Sequence, residues 1–142
     1  MTIAAILEGK GRDIVSIAST STVAEAVALL AARRIGAVPV LENGQVVGIF
    51  SERDVIHCIE REGAIGLELP ISRVMTAPAI TVGPEESVLG ALALMTRRRI
   101  RHLPVIDGQA CIGFISIGDL VKYRIDRIES EAEAMRAYIQ AA

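Results

Sequence analysis

The chain has 142 residues, enough for one domain or two small, tightly joined ones, and its hydrophobic content of 51% supports a sizeable core. Only 3% of the residues are aromatic and none is Trp, which argues against a platform that stacks single-stranded bases on exposed rings. A net charge of −2 and a sequence pI near 5.7 give no global attraction to nucleic acid or to an anionic membrane.

The opening stretch Met1–Gly11 has an acidic residue in a short apolar run and is read as no signal peptide. No apolar run approaches the ~18–20 residues of a membrane span. Thr2–Leu7 is predicted to form one or two helical turns, closed by Gly9 or Gly11. Asp13–Ile17 reads as extended, since Ile14, Val15 and Ile17 are β-branched. In the loop Ser19–Thr22, Thr22 is a helix N-cap with Glu25 as its capping-box partner. The helix Val23–Arg34 places Val23, Ala26, Val27 and Leu30 on one face. Ala37–Leu41 is a strand whose Pro39 lacks a donor and belongs at an edge or a bulge. Asn43-Gly44 makes a tight hairpin turn into the return strand Gln45–Phe50. Ser51-Glu52-Arg53-Asp54 then opens a helix to about Arg61, stopped near Gly63.

Gly63–Pro70 reads as a linker, and Ile71–Met75 as a short helical turn. The second half follows the plan of the first: strand Ala79–Val82, cap Pro84–Ser87, helix Val88–Arg99, strands His102–Ile106 and Ala110–Ser116 with a turn at Asp107-Gly108, and a last helix from near Ile117. Val15–Ile56 aligns without a gap on Ile80–Val121, 65 residues later. Identical pairs include Ala26/Ala91, Leu29/Leu94, Arg34/Arg99, Pro39/Pro104, Gly48/Gly113, Ser51/Ser116 and Asp54/Asp119. Each copy is strand–helix–strand–strand–helix, so the fold class is α+β. A unit of about 50 residues is marginal alone, so the two copies should pack as a pseudo-two-fold pair through their sheets. The expected division is residues 1–66 for the N-terminal segment and first repeat, 67–125 for the second repeat, and 126–142 for a C-terminal helical extension. Val121, Ile125, Ile128, Ala132, Met135 and Ile139 form an a/d-type seam. It lies either on its own domain or against a second copy.

The two cysteines fit neither a metal site nor a disulfide framework. Cys111 sits in an apolar strand pattern and reads as a small buried hydrophobe. His57-Cys58 lacks the accompanying motif of a nucleophile. No metal and no catalysis are expected, and a reducing cytoplasm is the expected compartment.

Ser51/Asp54 and Ser116/Asp119 stand at the mouths of two helices. Each pair can simply cap its helix. Free N–H groups at a helix start also attract an anion. A hydroxyl, a helix N-terminus and a carboxylate together suit a ribose phosphate, the carboxylate accepting from the sugar hydroxyls. Arg97, Arg98, Arg99, Arg101 and His102 are open to two readings as well. Cations at a helix C-terminus are favourable by ~0.3–1 kcal/mol each, and the same cluster could hold an anion.

The sequence Arg101-His102-Leu103-Pro104-Val105, followed by a hairpin and Gly113–Asp119, resembles the CBS domain, the cystathionine β-synthase domain family. So do Lys10-Gly11, Gly36–Val40, Phe50–Asp54 and Val74-Met75-Thr76. The resemblance covers roughly residues 13–125 and implies two clefts between the repeats that bind adenosine-containing ligands. It implies ribose contacts for Asp54 and Asp119 and phosphate contacts for Ser51 and Ser116. Basic contacts to phosphate fall to Arg101 and His102, with Arg53 as a further cation. Thr81 and its counterpart Ser16 would line the base pocket, and Ala37, Val38, Pro39, Leu103 and Pro104 would border the ligand. The implied function is a regulatory sensor. AMP is the first ligand, followed by ADP, ATP, NAD(H) and S-adenosylmethionine. A homodimer and an unidentified regulated protein are its implied partners, with no role for nucleic acid or membrane. The alternative is a structural or protein-interaction module with empty clefts. Repeat one has Gly36-Ala37 where repeat two has Arg101-His102, so the clefts should differ in phosphate affinity. The sequence alone does not assign either aspartate to the cleft of Arg101.

Overall fold

The computed structural model describes residues 1–11 and 13–141; Arg12, and Ala142 at the end of the expected extension, lie outside the described residues. The first helix, α1, is Ile3–Lys10. The first repeat contains β1 (Ile17–Ala18), α2 (Val23–Arg33), β2 (Ala37–Glu42), β3 (Gln45–Ser51) and α3 (Glu52–Glu62). Two 3-10 turns, Gly63–Glu68 and Ile71–Arg73, lead to the second repeat. That repeat contains α4 (Val88–Arg98), β4 (His102–Asp107), β5 (Ala110–Ser116) and α5 (Ile117–Ala141).

Local chemistry sets these boundaries. The Thr22 hydroxyl accepts from the Glu25 N–H at 3.2 Å, and Ser87 accepts from the Gly90 N–H at 2.9 Å. Both helices end one residue earlier than expected, because Arg34 and Arg99 turn into the left-handed region at φ 54° and 56°. In the first hairpin Asn43 and Gly44 both take positive φ, as a primed turn requires. The second hairpin corrects the sequence reading by one residue. Asp107 still pairs with Ala110, so the turn is Gly108-Gln109, and Gly108 takes the positive φ of 64°.

The expected strand at Asp13–Ile17 shrinks to two residues, Ile17 and Ala18, which pair in parallel with Val40 and Leu41 of β2. Its counterpart at Ala79–Val82 reduces to a single bridge, Val82 to Val105. Pro39 lies past the end of β1 and next to a bulge between Val40 and Leu41, as its missing donor demands. Pro104 stands likewise beside the bulge at Val105/Ile106.

The two cores do not divide the chain at residue 66. Ile17, Val23, Ala26, Leu30, Val40 and Phe50 form the first core, which Leu67, Leu69, Ile71 and Val74 close. The second core, around Val88, Met95, Leu103 and Ile115, is closed by Ile3, Ile6 and Leu7 of α1. Each repeat is thus completed by the segment that precedes the other. These leaders obey one register. The N–H groups of Ile3 and Ala4 donate to the carbonyls of Glu86 and Pro84, and those of Ile71 and Ser72 to Ser21 and Ser19. The leaders are 68 residues apart while the repeats they meet are 65 apart. Gly48 and Gly113 make room for them. A Cβ at Gly48 would come within 2.7 Å of Met75 Sδ, and one at Gly113 within 2.5 Å of Leu7 Cδ2.

α5 has 25 residues and runs about 37 Å at 1.5 Å per residue. Leu120 is buried, but Val121, Ile125, Ile128, Met135 and Ile139 are 43% to 64% exposed. The seam therefore does not lie on its own domain. Ile56 and Ile59 of α3 are exposed too. Cys111 is half-buried rather than buried, whereas Cys58 is fully enclosed. Burial raises the Cys111 thiol above its ordinary value, which keeps it protonated.

Candidate functional site

α3 and α5 open on the same chemistry. The Ser51 N–H donates to Asp54 Oδ2 at 2.9 Å, and the Asp54 N–H donates back to Ser51 Oγ at 3.4 Å. Ser116 and Asp119 repeat this at 2.8 and 3.1 Å. The first N–H of each helix donates to a carbonyl from the other side of the mouth, Glu52 to Gly36 at 3.0 Å and Ile117 to Arg101 at 2.8 Å. Three of the four N–H groups expected to be free for an anion are therefore used inside the fold at each mouth. Side-chain cations are left to hold negative charge.

Beyond this shared frame the mouths diverge. At the first, the Thr76 backbone N–H donates to Ile49 O at 2.9 Å, and its hydroxyl donates to Asp54 Oδ1 at 2.9 Å. At the second, the Lys10 ammonium donates to Phe114 O at 2.7 Å and to Asp119 Oδ2 at 2.6 Å. Partial burial alone would raise the Asp119 carboxyl. The Lys10 ammonium and the Ser116 backbone N–H outweigh that and hold it below the usual carboxylate range.

A cavity of about 650 Å³ opens at the first mouth. Ser51, Glu52, Arg53 and Asp54 form one side, and Arg98, Arg99, Arg101 and His102 from the second repeat form another. Thr76, Pro78, Ala79 and Ile80 line it from the second leader and the strand-like segment after it, with Gly36, Ala37, Ile49, Ile56 and Ile100. A smaller cavity of about 230 Å³ shares Arg53, Arg99 and Arg101 with it. Among the described residues, side-chain ion pairs within 4.0 Å are Lys10–Asp119 and Arg127–Glu131, so the cleft arginines have no internal counterion at that distance.

His102 sits between the two mouths. It stacks on Phe114 at 5.5 Å between ring centroids, with 11° between the planes. Burial holds its pKa below the ordinary histidine value. Asp119 and Glu52 oppose this, while Lys10 and Arg101 reinforce it.

The structure resolves which aspartate faces Arg101 and His102: the cavity joins them to Asp54, Ser51, Arg53 and Ala37. Val38 and Leu103 are fully buried in the two cores, and Pro39 and Pro104 are buried beside them, so these four hold the hairpins rather than line the cavity. Thr81 is exposed and outside the lining, where Ala79 and Ile80 take the place expected for it. Ser16 is half-buried and not among the lining residues, and Ser116 and Asp119 stand at the other mouth. Thr76 and Glu52 were missed as site residues. The signal for Thr76 was the motif Val74-Met75-Thr76, which gives no hint of where the chain crosses. Among the described residues no cluster of three His, Cys, Asp or Glu could hold a metal, and no helix is long and apolar enough to cross a membrane.

Two α+β repeats that face each other across helix mouths, with a basic cleft between them, define a pseudo-symmetric tandem module. The CBS domain family matches residues 11–61 and 71–126, so the chain belongs to that family and carries two copies of the domain. It is 34% identical to CBS domain-containing protein CBSX3, mitochondrial, from Arabidopsis thaliana, over 98% of this chain and 72% of that protein. Among solved structures it resembles the CBS-domain containing protein ATU1752 from Agrobacterium tumefaciens, with 36% identity and a TM-score of 0.83, over 87% of this chain and 99% of that one. The fold also matches the CBS domain pair of protein MJ0100, solved in complex with methylthioadenosine and S-adenosyl-L-methionine. There the identity is 21% and the TM-score 0.78, over 89% of this chain and 98% of that one.

Proposed function

We propose that the chain is a regulatory module that binds an adenosine-containing ligand at the Asp54 mouth, with AMP as the first candidate and ADP, ATP or NAD(H) behind it. The observation that carries this reading is the cavity of about 650 Å³ in which a capped carboxylate faces four arginines without internal counterions. Its volume falls in the range of small-ligand pockets. Asp54 Oδ1, held by a neutral threonine hydroxyl, accepts from the ribose hydroxyls in exchange. Arg53, Arg101 and His102 take the phosphate, and Ala79, Ile80 and Ile100 supply an apolar wall for the base. The adenosine ligands of MJ0100 support the ligand class.

Binding acts on the angle between the repeats, because the cleft draws residues from both. A ligand shifts that angle only by its differential affinity for the two arrangements. A second copy covers the exposed seam of α5 together with Ile56 and Ile59, and a regulated protein reads the change. Dimer formation is tested by Ile125→Glu, which should turn a dimer into a monomer in sedimentation at micromolar concentration.

The binding test is a thermal-shift and calorimetric titration of the full chain with adenosine compounds. A ligand at 100 times its dissociation constant stabilises by about 2.7 kcal/mol. No shift with any of them at millimolar concentration would support the alternative, in which both Ser–Asp pairs act only as helix caps.

A further inference from the structure

We infer that residues 121–139 of α5 form a parallel, in-register two-stranded coiled coil with the same helix of a second copy. The inference rests on the dimer reading above and deepens it, fixing which surface pairs and in which direction. α5 changes its surroundings part-way along. Leu120 is buried in the second core and Tyr123 packs against it. The same strip of the helix continues with Arg127 and Glu131, so beyond Arg124 it turns polar. From Ile125 to Ala141 every residue is exposed except Ala132, which is half-buried. This length runs about 26 Å at 1.5 Å per residue. The seam of Val121, Ile125, Ile128, Ala132, Met135 and Ile139 stays apolar along all of it. Helices draw most of their stability from packing an apolar face, and among the described residues of this chain none covers that face.

Charge selects the partner and its direction. The seam puts Ile125, Ala132 and Ile139 at a positions and Val121, Ile128 and Met135 at d positions. Arg124 and Glu131 then stand at g, and Glu129 and Arg136 at e. In a parallel pair each g residue meets the e residue of the next heptad on the other helix. Arg124 meets Glu129 of the second copy and Glu131 meets its Arg136, opposite signs at both steps and on both sides of the two-fold axis. The remaining e and g residues, Lys122 and Tyr138, meet no charge there. A full antiparallel overlap centres on Ser130 instead. It brings Glu129 and Glu131 of one helix against Glu129 and Glu131 of the other, like charges at the axis. Among the described residues Arg124 and Arg136 have no carboxylate within 4.0 Å, and Glu131 has only Arg127, at 3.9 Å. These charges are left for a second copy.

The test uses the full chain. Cys58 is fully enclosed, so Cys111→Ala removes the accessible thiol. Ile125→Cys and Met135→Cys are made separately in that background and oxidised, each alone and as a mixture combined before oxidation. The parallel coil sets each position beside its own copy, so each variant alone should run as a covalent dimer on a denaturing gel. The antiparallel overlap sets Ile125 beside Met135 of the other copy, so a covalent dimer formed only in the mixture would overturn the inference. Charge exchange leaves the seam intact. Arg136→Glu should weaken the dimer about tenfold in sedimentation, since two symmetric pairs turn from attraction to repulsion, and Glu131→Arg/Arg136→Glu should restore it. A double variant as weak as the single would overturn the pairing. If the wild-type chain is a monomer at micromolar concentration, the dimer reading itself fails. If it is a dimer but neither cysteine variant cross-links alone, only the parallel coil fails.

Discussion

The Asp54 and Asp119 mouths are built from the same Ser-x-x-Asp frame, yet one opens on a basic cleft with the Thr76 hydroxyl on its aspartate, and the other pairs its aspartate with the Lys10 ammonium. The frame is set by residues that keep a spacing of 65, and the difference by leaders that keep a spacing of 68. Duplicated chemistry has thus been made unequal by what crosses over to it, not by the copies of the frame themselves. Arg101-His102 opposite Gly36-Ala37 adds a second inequality, and it favours anions at the Asp54 mouth.

The largest way to break the comparison is through the leaders. Leu7→Ala should destabilise the fold by about 3 kcal/mol, as large-to-small changes at buried sites do. Met75→Ala should cost less, because Met75 is only partly buried while Leu7 is 1% exposed. Denaturant unfolding of the two variants measures the gap, and equal losses would mean the leaders are interchangeable. Next is Asp54→Ala, expected to weaken AMP about 10- to 100-fold by removing charge-assisted hydrogen bonds. Asp119→Ala should leave the tight site intact. Titration of both variants decides it, and a larger loss from Asp119→Ala would reverse the assignment of the mouths.

Arg101→Ala tests the basic wall. AMP should weaken by about tenfold while adenosine is unaffected, since only the phosphate loses a partner. A parallel loss for adenosine would place Arg101 at the base or sugar. Ser51→Ala and Ser116→Ala should each cost about 1 kcal/mol of stability as lost caps. Thermal melts of the pair show whether the two frames contribute equally.

The smallest effect is on pH. The folded state favours neutral His102, so the unfolded state takes up its proton first as pH falls through the ordinary value near 6.5. The contribution is full above about pH 6.5 and shrinks as pH drops towards the lower folded value. A phosphate beside the ring raises that folded value, so binding near pH 6 should take up a fraction of a proton. Titrations in two buffers of different ionisation enthalpy detect it as the difference between the wild-type chain and His102→Gln, in which only the phosphate's own ionisation near pH 6 remains.

Much of this was legible in the sequence. The caps at Thr22, Ser51, Ser87 and Ser116, the hairpins, and the pairing of the copies follow from local residue chemistry and one repeat length. The crossing of the leaders was not legible. Ile3, Ile6 and Leu7 read as any short apolar helix, and their register is offset by three from the repeat that would have exposed it. For the same reason Thr76 and Lys10 gave no sign of meeting Asp54 and Asp119. Val38 and Leu103 show the opposite failure. They stand within the family motif, but strand positions this deep in a hairpin are covered on all sides and reach no cleft.

The crossed leaders also decide how the chain can be taken apart. A cut between residues 66 and 67 gives neither half a finished core. The first fragment keeps α1, whose apolar face belongs to the other, and loses Leu67, Leu69, Ile71 and Val74. The second fragment carries those four and lacks Ile3, Ile6 and Leu7. Each piece holds the missing wedge of its counterpart, so the halves are complementary in their cores, and neither carries a complete core of its own.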